Sequence, residues 1–192
     1  MYRHFYSLFC QQRVFEMNWM QSRNGVSFPY YRFQFEGFSN QQLHFRSVQA
    51  KNGRRQGETS QLRAWFHEQV FKQWGNPASF FRFEHATLII FHHFDTKQAT
   101  DLDNYAYKIV IDAIKATNCI ENDDYEHLSL HLKGLSSERA KLDCFVVPTG
   151  YELDFFEKNT FYKIAFSNFQ EVTNEQIENE QLCRAQEQNW FY

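Results

Sequence analysis

The chain has 192 residues, 43% of them hydrophobic, and a formal net charge of -3. That length suits one domain with extensions and is enough to bury a core. The slightly acidic balance argues against a sequence-blind nucleic-acid coat driven by whole-protein charge, while leaving room for a local basic patch. With 7 Gly and 3 Pro against 22 Phe and 10 Tyr, long disordered linkers are not expected. No stretch is long and apolar enough for a membrane span, and the apolar run after Arg3 and His4 is too short and mixed for a signal peptide. Cys10, Cys119, Cys144 and Cys183 stand far apart with no Cys-x-x-Cys pair, which supports neither a zinc knuckle nor a thioredoxin-like motif and suits reduced thiols in a cytoplasmic protein.

Residues 1–24 mix aromatic and polar groups without a clear period and read as an extension. Over residues 30–38, Tyr31, Phe33 and Phe35 alternate with Arg32, Gln34 and Glu36, the pattern of a half-buried strand. A loop over residues 51–57 follows, with Gly53, Gly57 and three cations, Lys51, Arg54 and Arg55. It reads either as a solvated surface loop or as a segment able to lie along a phosphate backbone. From Thr59 or Ser60, Leu62, Trp65, Phe66, Val70 and Trp74 recur at helical spacing as a core-facing stripe, ended by Gly75 and Pro77.

Residues 80–94 are apolar on both faces near the middle (Leu88, Ile89, Ile90, Phe91), which predicts a buried interior strand. His92 and His93 end it and point to opposite faces, so they cannot chelate one metal as a pair. A polar connection containing Lys97 then delivers the chain to Asp101-Leu102-Asp103-Asn104. A helix is expected from there, with Ala106, Ile109, Val110, Ala113, Ile114 and Thr117 as its apolar stripe. Asp123-Asp124 precedes a further strand carrying Leu128, Leu130 and Leu132. His127 and His131 are four apart, roughly 13 Å along a strand, and make no metal pair there. A turn over residues 134–139, a strand over 142–147 closed by Pro148, an aromatic strand over 161–169 and a polar helix over 173–188 complete the reading.

Asp101 and Asp103 have two readings. Asp and Asn cap helix starts and favour the positive end of the helix dipole. Alternatively, the pair meets Asp123-Asp124, and converging carboxylates then require a cation, for which an all-oxygen set suits Mg²⁺. The strand-turn-helix-turn-strand order is expected to bring the end of one strand near the start of the next, favouring that meeting.

The ordered series Asp101-Leu102-Asp103-Asn104, Lys108, Asp112-Ala113-Ile114 and Asp123-Asp124 resembles the RusA-type Holliday junction resolvases over about residues 30–147. The resemblance implies a small α+β domain, a mixed sheet packed with two main helices, over residues 30–148, between an extension over 1–29 and another over 149–192. It also implies a homodimer that nicks branched DNA in recombination and repair. By motif, Asp101, Asp103 and Asp124 would be the metal ligands, with Asp123 as the alternative third, and Lys108 would be the functional lysine.

In that chemistry Mg²⁺, with Mn²⁺ able to substitute, lowers the pKa of a bound water and clamps phosphate oxygens. Lys51, Arg54, Arg55 and Lys97 are the expected contacts to the DNA backbone. Two departures stand out. Tyr107 holds the family's lysine place and Lys108 comes one residue later, which implies an insertion absorbed before the helix becomes regular. The family's arginine-rich run before the aspartates is also missing, which leaves room for a module of this fold that binds nucleic acid or a protein without cleaving.

Overall fold

In the computed structural model of the chain, the described residues are 17–44, 53–75, 77, 79–96 and 101–159. The first element is a short strand, β1 (Asn18–Gln21), which turns back antiparallel onto β2 (Ser27–Glu36). The sheet therefore begins inside the stretch expected to be an extension. Ser39 caps α1 (Asn40–Leu43) through a reciprocal pair: its hydroxyl accepts from the Gln42 N–H, and its own N–H donates to Gln42 Oε1.

The next helix, α2 (Gly53–Trp74), starts earlier than its apolar stripe suggests and takes in most of the glycine-containing stretch expected to be a loop. It stops as expected, because Gly75 adopts a left-handed φ of 69° that a side chain would disfavour.

β3 (Ala86–Phe94) begins six residues later than the apolar run implies, because residues 80–85 make bends and an isolated bridge instead. After it come a 3-10 turn (Leu102–Asn104), α3 (Lys108–Lys115), β4 (Leu128–Ser136), β5 (Lys141–Pro148) and α4 (Glu152–Lys158). Gly134, expected in a turn, lies within β4. The helix expected from Asp101 is thus broken: Tyr105 is extended, and regular α-helix resumes only at Lys108.

The five strands form one mixed sheet in the order β1-β2-β5-β3-β4, antiparallel except for the β3–β4 pair. Register explains the core. Phe33, Cys144, Ile90 and Leu132 form one row across four strands, and Tyr31, Val146 and Leu88 form the next. These side chains meet Phe66, Val70 and Trp74 from α2 and Ile109, Val110, Ala113 and Ile114 from α3. On the opposite face Phe155 of α4 is buried, with its ring 5.0 Å from Phe145 and 5.6 Å from Tyr30. Helix α4 therefore packs on the sheet from within the stretch expected to be a C-terminal extension.

The chain divides into two compact units, residues 1–158 and 159–192. The strand expected over 161–169 and the helix over 173–188 lie outside the described residues, as do Cys10 and Cys183. Cys119 and Cys144 are buried free thiols. Among the described residues, no helix is long and apolar enough to cross a membrane.

Ile90 is fully buried at the middle of the sheet. Ile90→Ala is expected to lower unfolding stability by about 2–5 kcal/mol, read as a lower urea midpoint with an unchanged denaturant slope.

Candidate functional site

Two groups of acidic side chains flank the β3–β4 pair. The first to consider is the one around Asp123. Helix α3 ends at Lys115. Asn118, in a left-handed conformation with φ 62°, turns the chain so that Ile120 bridges Phe83 in parallel, ahead of β3. That path carries Asp123 back against α3. One Asp123 carboxylate oxygen accepts from Lys108 Nζ, and the other from Lys115 Nζ at 2.5 Å.

Lys108 also reaches Asp112 Oδ1 at 2.6 Å, and Lys115 reaches Asn122 Oδ1 at 2.6 Å. The two lysines are seven residues apart, two turns of helix, and so fall on one side of α3. Lys108 first, and Lys115 with it, holds the Asp123 carboxyl down to about 2. Hydrogen bonds to Asp112 and Asp123 in turn raise the pKa of Lys108.

Asp124 has a different task. Its Oδ1 accepts from the backbone N–H groups of Glu126 and His127, both at 3.1 Å, and contacts His127 Nδ1 at 2.5 Å. Its Oδ2 accepts from Asn122 Nδ2 at 2.5 Å. This carboxylate locks the turn that leads into β4, the local side-chain-to-backbone bonding at which Asp excels. The His127 contact lowers the Asp124 pKa and raises that of His127.

Asp101 and Asp103 are exposed on and just before the 3-10 turn, and among the described residues neither carboxylate has a hydrogen-bond or ion-pair partner. The capping explanation therefore fails for Asp101, whose side chain makes no cap bond. Between them, Leu102 packs over Gly134: a Cβ added there would stand 3.3 Å from Leu102 and 3.2 Å from Phe94, tight enough that both side chains would have to give way by a few tenths of an ångström.

That contact fixes which end of the sheet the turn occupies. Asp101 follows the C-terminal end of β3, whereas Asp124, whose carbonyl accepts from the Leu128 N–H, precedes the N-terminal end of the parallel strand β4. From Gly134 to Leu128 is six residues, roughly 20 Å of strand. The expectation that strand order brings these acids together is corrected by this geometry, since in a parallel crossover the end of one strand and the start of the next lie at opposite edges. Among the described residues, no three His, Cys, Asp or Glu side chains gather as a group that could hold a metal ion. Within one chain, Asp101, Asp103, Asp123 and Asp124 are therefore not gathered as such a group.

Next to the 3-10 turn lies a buried polar network that motif reading misses. His92, 1% exposed, contacts Tyr107 Oη at 2.8 Å through Nδ1 and Asn40 Oδ1 at 2.7 Å through Nε2. Tyr107 turns inward, and Lys108, one residue on, turns out toward the acids. Burial first, and the neighbouring His93 second, lowers the His92 pKa to about 4. No sequence signal separates this histidine from a simple core residue, because its partners come from elements 15 and 52 residues away.

On the other face Asp143, 1% exposed, accepts from Arg32 Nη2 at 3.1 Å and Gln34 Nε2 at 2.6 Å through one oxygen. Its second oxygen pairs with Lys141 at 2.9 Å. His93 Nε2 lies 3.2 Å from that oxygen but off the line of a hydrogen bond. Burial alone would raise the Asp143 pKa; Lys141, Gln34 and Arg32 outweigh it and hold it below the ordinary value.

Lys51 and Lys97 lie outside the described residues. Arg54 and Arg55 fall in the first turns of α2, with only their backbone described. Comparison of the sequence with protein-family models and with curated proteins gives no match.

Two titration outcomes are expected. The unfolded chain protonates His92 near 6.5 and the folded one near 4. Stability linked to this group is therefore fully present above about pH 6.5 and is lost as pH falls toward 4, on the order of 3 kcal/mol. Urea unfolding across that window should show a smaller slope in His92→Gln. In Lys115→Met the Asp123 pKa, followed by carboxyl-carbon NMR, should rise from about 2 toward its ordinary 3.8.

Proposed function

We propose that the chain is a structure-selective DNA endonuclease of RusA type, Mg²⁺-dependent and cytoplasmic, which cuts branched DNA such as Holliday junctions in recombination and repair. In this reading it works as a homodimer whose carboxylate sites are shared between two copies. The observation that carries the reading is the pair Asp101 and Asp103, exposed, without partners among the described residues and held on a turn packed against β4. Two carboxylates one residue apart and bound to no described residue are available to a hard cation, as Asp123, with an ammonium on each oxygen, is not.

Sharing between copies follows from the sheet. β4 is an outer strand: β3 covers one edge, no described residue pairs with the other, and Leu130 is 46% exposed. Such an edge is a template for another strand. Antiparallel pairing of β4 with its counterpart would lay the start of one copy's strand beside the end of the other's, bringing Asp124 of one copy toward Asp101 and Asp103 of the other. A twofold axis makes two equivalent sites, which suits symmetric nicking of a four-way junction. Lys51, Arg54, Arg55 and Lys97 are the proposed backbone contacts, where cations supply affinity without reading sequence.

A second reading has its own support. Within one chain, Asp123 and Asp124 are already engaged by Lys108, Lys115 and His127, as in a RusA-like module that binds branched DNA or a protein partner without cleaving.

Cleavage of a synthetic four-way junction in Mg²⁺ decides between them. Asp103→Asn and Asp124→Asn should each be inactive alone, and mixing them should restore roughly a quarter of wild-type cleavage, because half of the dimers then carry one intact site. Cleavage by a monomer would reject the shared site and keep the nuclease. Junction binding without cleavage would select the second reading, and neither binding nor cleavage would reject both.

A further inference from the structure

The chain enters the Asp101 turn from the end of β3 and leaves it into α3. The two sides of that passage, Asp95 and Tyr107, are joined through one buried histidine. Asn40 Nδ2 donates to Asp95 Oδ1 at 2.8 Å. Its amide oxygen is therefore the atom that faces His92 Nε2 at 2.7 Å, and only a protonated Nε2 can donate to it. With that tautomer fixed, Nδ1 carries a lone pair and accepts from Tyr107 Oη at 2.8 Å. Every donor in the series Tyr107, His92, Asn40 points toward the Asp95 carboxylate. The bonds polarise one another in a single direction, which favours one arrangement of the whole series.

Packing leaves the ring little choice. Phe94 stacks on His92 with ring centroids 4.0 Å apart, Tyr105 meets it edge-on at 4.8 Å, and Phe38 closes the side at 6.3 Å. The same segment is tied by its backbone: the Ala106 N–H donates to Leu43 O at 2.9 Å, and Tyr105 bridges His44. Leu43 and Asn40 share α1, so that short helix is the wall to which the passage is fastened. Tyr107 also precedes the first residue of α3, so the place of its hydroxyl sets where Lys108 starts.

We infer that His92 is a positioning residue: through Tyr107 on one side and Asn40 with Asp95 on the other, it holds the chain that presents Asp101 and Asp103 and sets the start of α3, hence the direction of Lys108. The consequence for catalysis rests on the nuclease reading; the anchoring does not.

Amide hydrogen exchange followed by mass spectrometry tests the anchoring on the full chain, with His92→Phe, His92→Gln and Tyr107→Phe. His92→Phe keeps the ring stack and removes both hydrogen bonds. Tyr107→Phe removes one oxygen and guards against loss of folding in the other variant. Both should speed exchange over residues 101–108 by about 10-fold or more while leaving β2, β3 and β5 within about twofold. His92→Gln, with one donor and one acceptor, should recover most of the protection. Wild-type exchange over 101–108 in both Phe variants, or acceleration spread evenly over the sheet, would overturn the inference.

A second arm reads junction cleavage at saturating Mg²⁺, where kcat should fall at least about 10-fold in Tyr107→Phe. Junction affinity measured in Ca²⁺ should hold. If the wild type cuts no junction, the nuclease reading is lost and the exchange result still decides the anchoring.

Discussion

The parallel pairing of β3 with β4 is the constraint on which the rest of the arrangement depends. Two neighbouring strands that run the same way need a crossover on one face of the sheet, and here residues 95–127 supply it. Because α3 must return the chain across that face, its apolar side is committed to Leu88, Ile90 and Phe66, and its polar side faces away from the sheet. Lys108, Asp112 and Lys115 are left there to meet Asp123 as the chain comes back. One hydrogen-bonding choice between two strands thus creates the lysine-aspartate cluster and holds Asp101 and Asp103 apart from it.

That separation gives the acids unequal roles. A carboxylate between two ammonium groups is stabilised in its charged form and is poorly available to any other cation. Asp124 is bound by a turn that would otherwise leave the Glu126 N–H without an acceptor and the His127 N–H with only its longer bond to the Asp124 carbonyl. The carboxylates of Asp101 and Asp103 bond to no described residue, and side chains with no structural duty on a well-anchored segment are where function is first sought.

Local pattern made much of this fold legible. Alternating Tyr31, Phe33 and Phe35 face the core as their period requires, the doubly apolar run of β3 is interior, and the stripe from Leu62 to Trp74 is helical and ends at Gly75. What was not legible is relational. Nothing in Leu128, Leu130 and Leu132 states that their strand runs parallel to β3, and the acids looked adjacent for that reason. The start of α2 runs against local propensity, because Gly53 and Gly57 are poor helix formers that the longer helix overrides. The break at Tyr105 was hidden because Ala106, Ile109 and Val110 keep helical spacing on both sides of it. The inward turn of Tyr107, which releases Lys108 to the outside, depends on His92, fifteen residues earlier in the chain.

Asp143 lies in β5 between Leu142 and Cys144, both of which face the aromatic core. If β5 slipped by one residue against β2, its side chains would exchange faces. The carboxylate would then enter a layer of Phe33, Phe35 and Trp74 and leave Arg32 and Gln34 behind, carrying only Lys141 of its own strand with it. A slipped sheet would have to bury both charges among aromatic rings, whereas the native one does not. Asp143 therefore acts less as a contributor to stability than as a penalty against every odd-numbered misalignment, a device for choosing one pairing among several that hydrophobicity alone would accept.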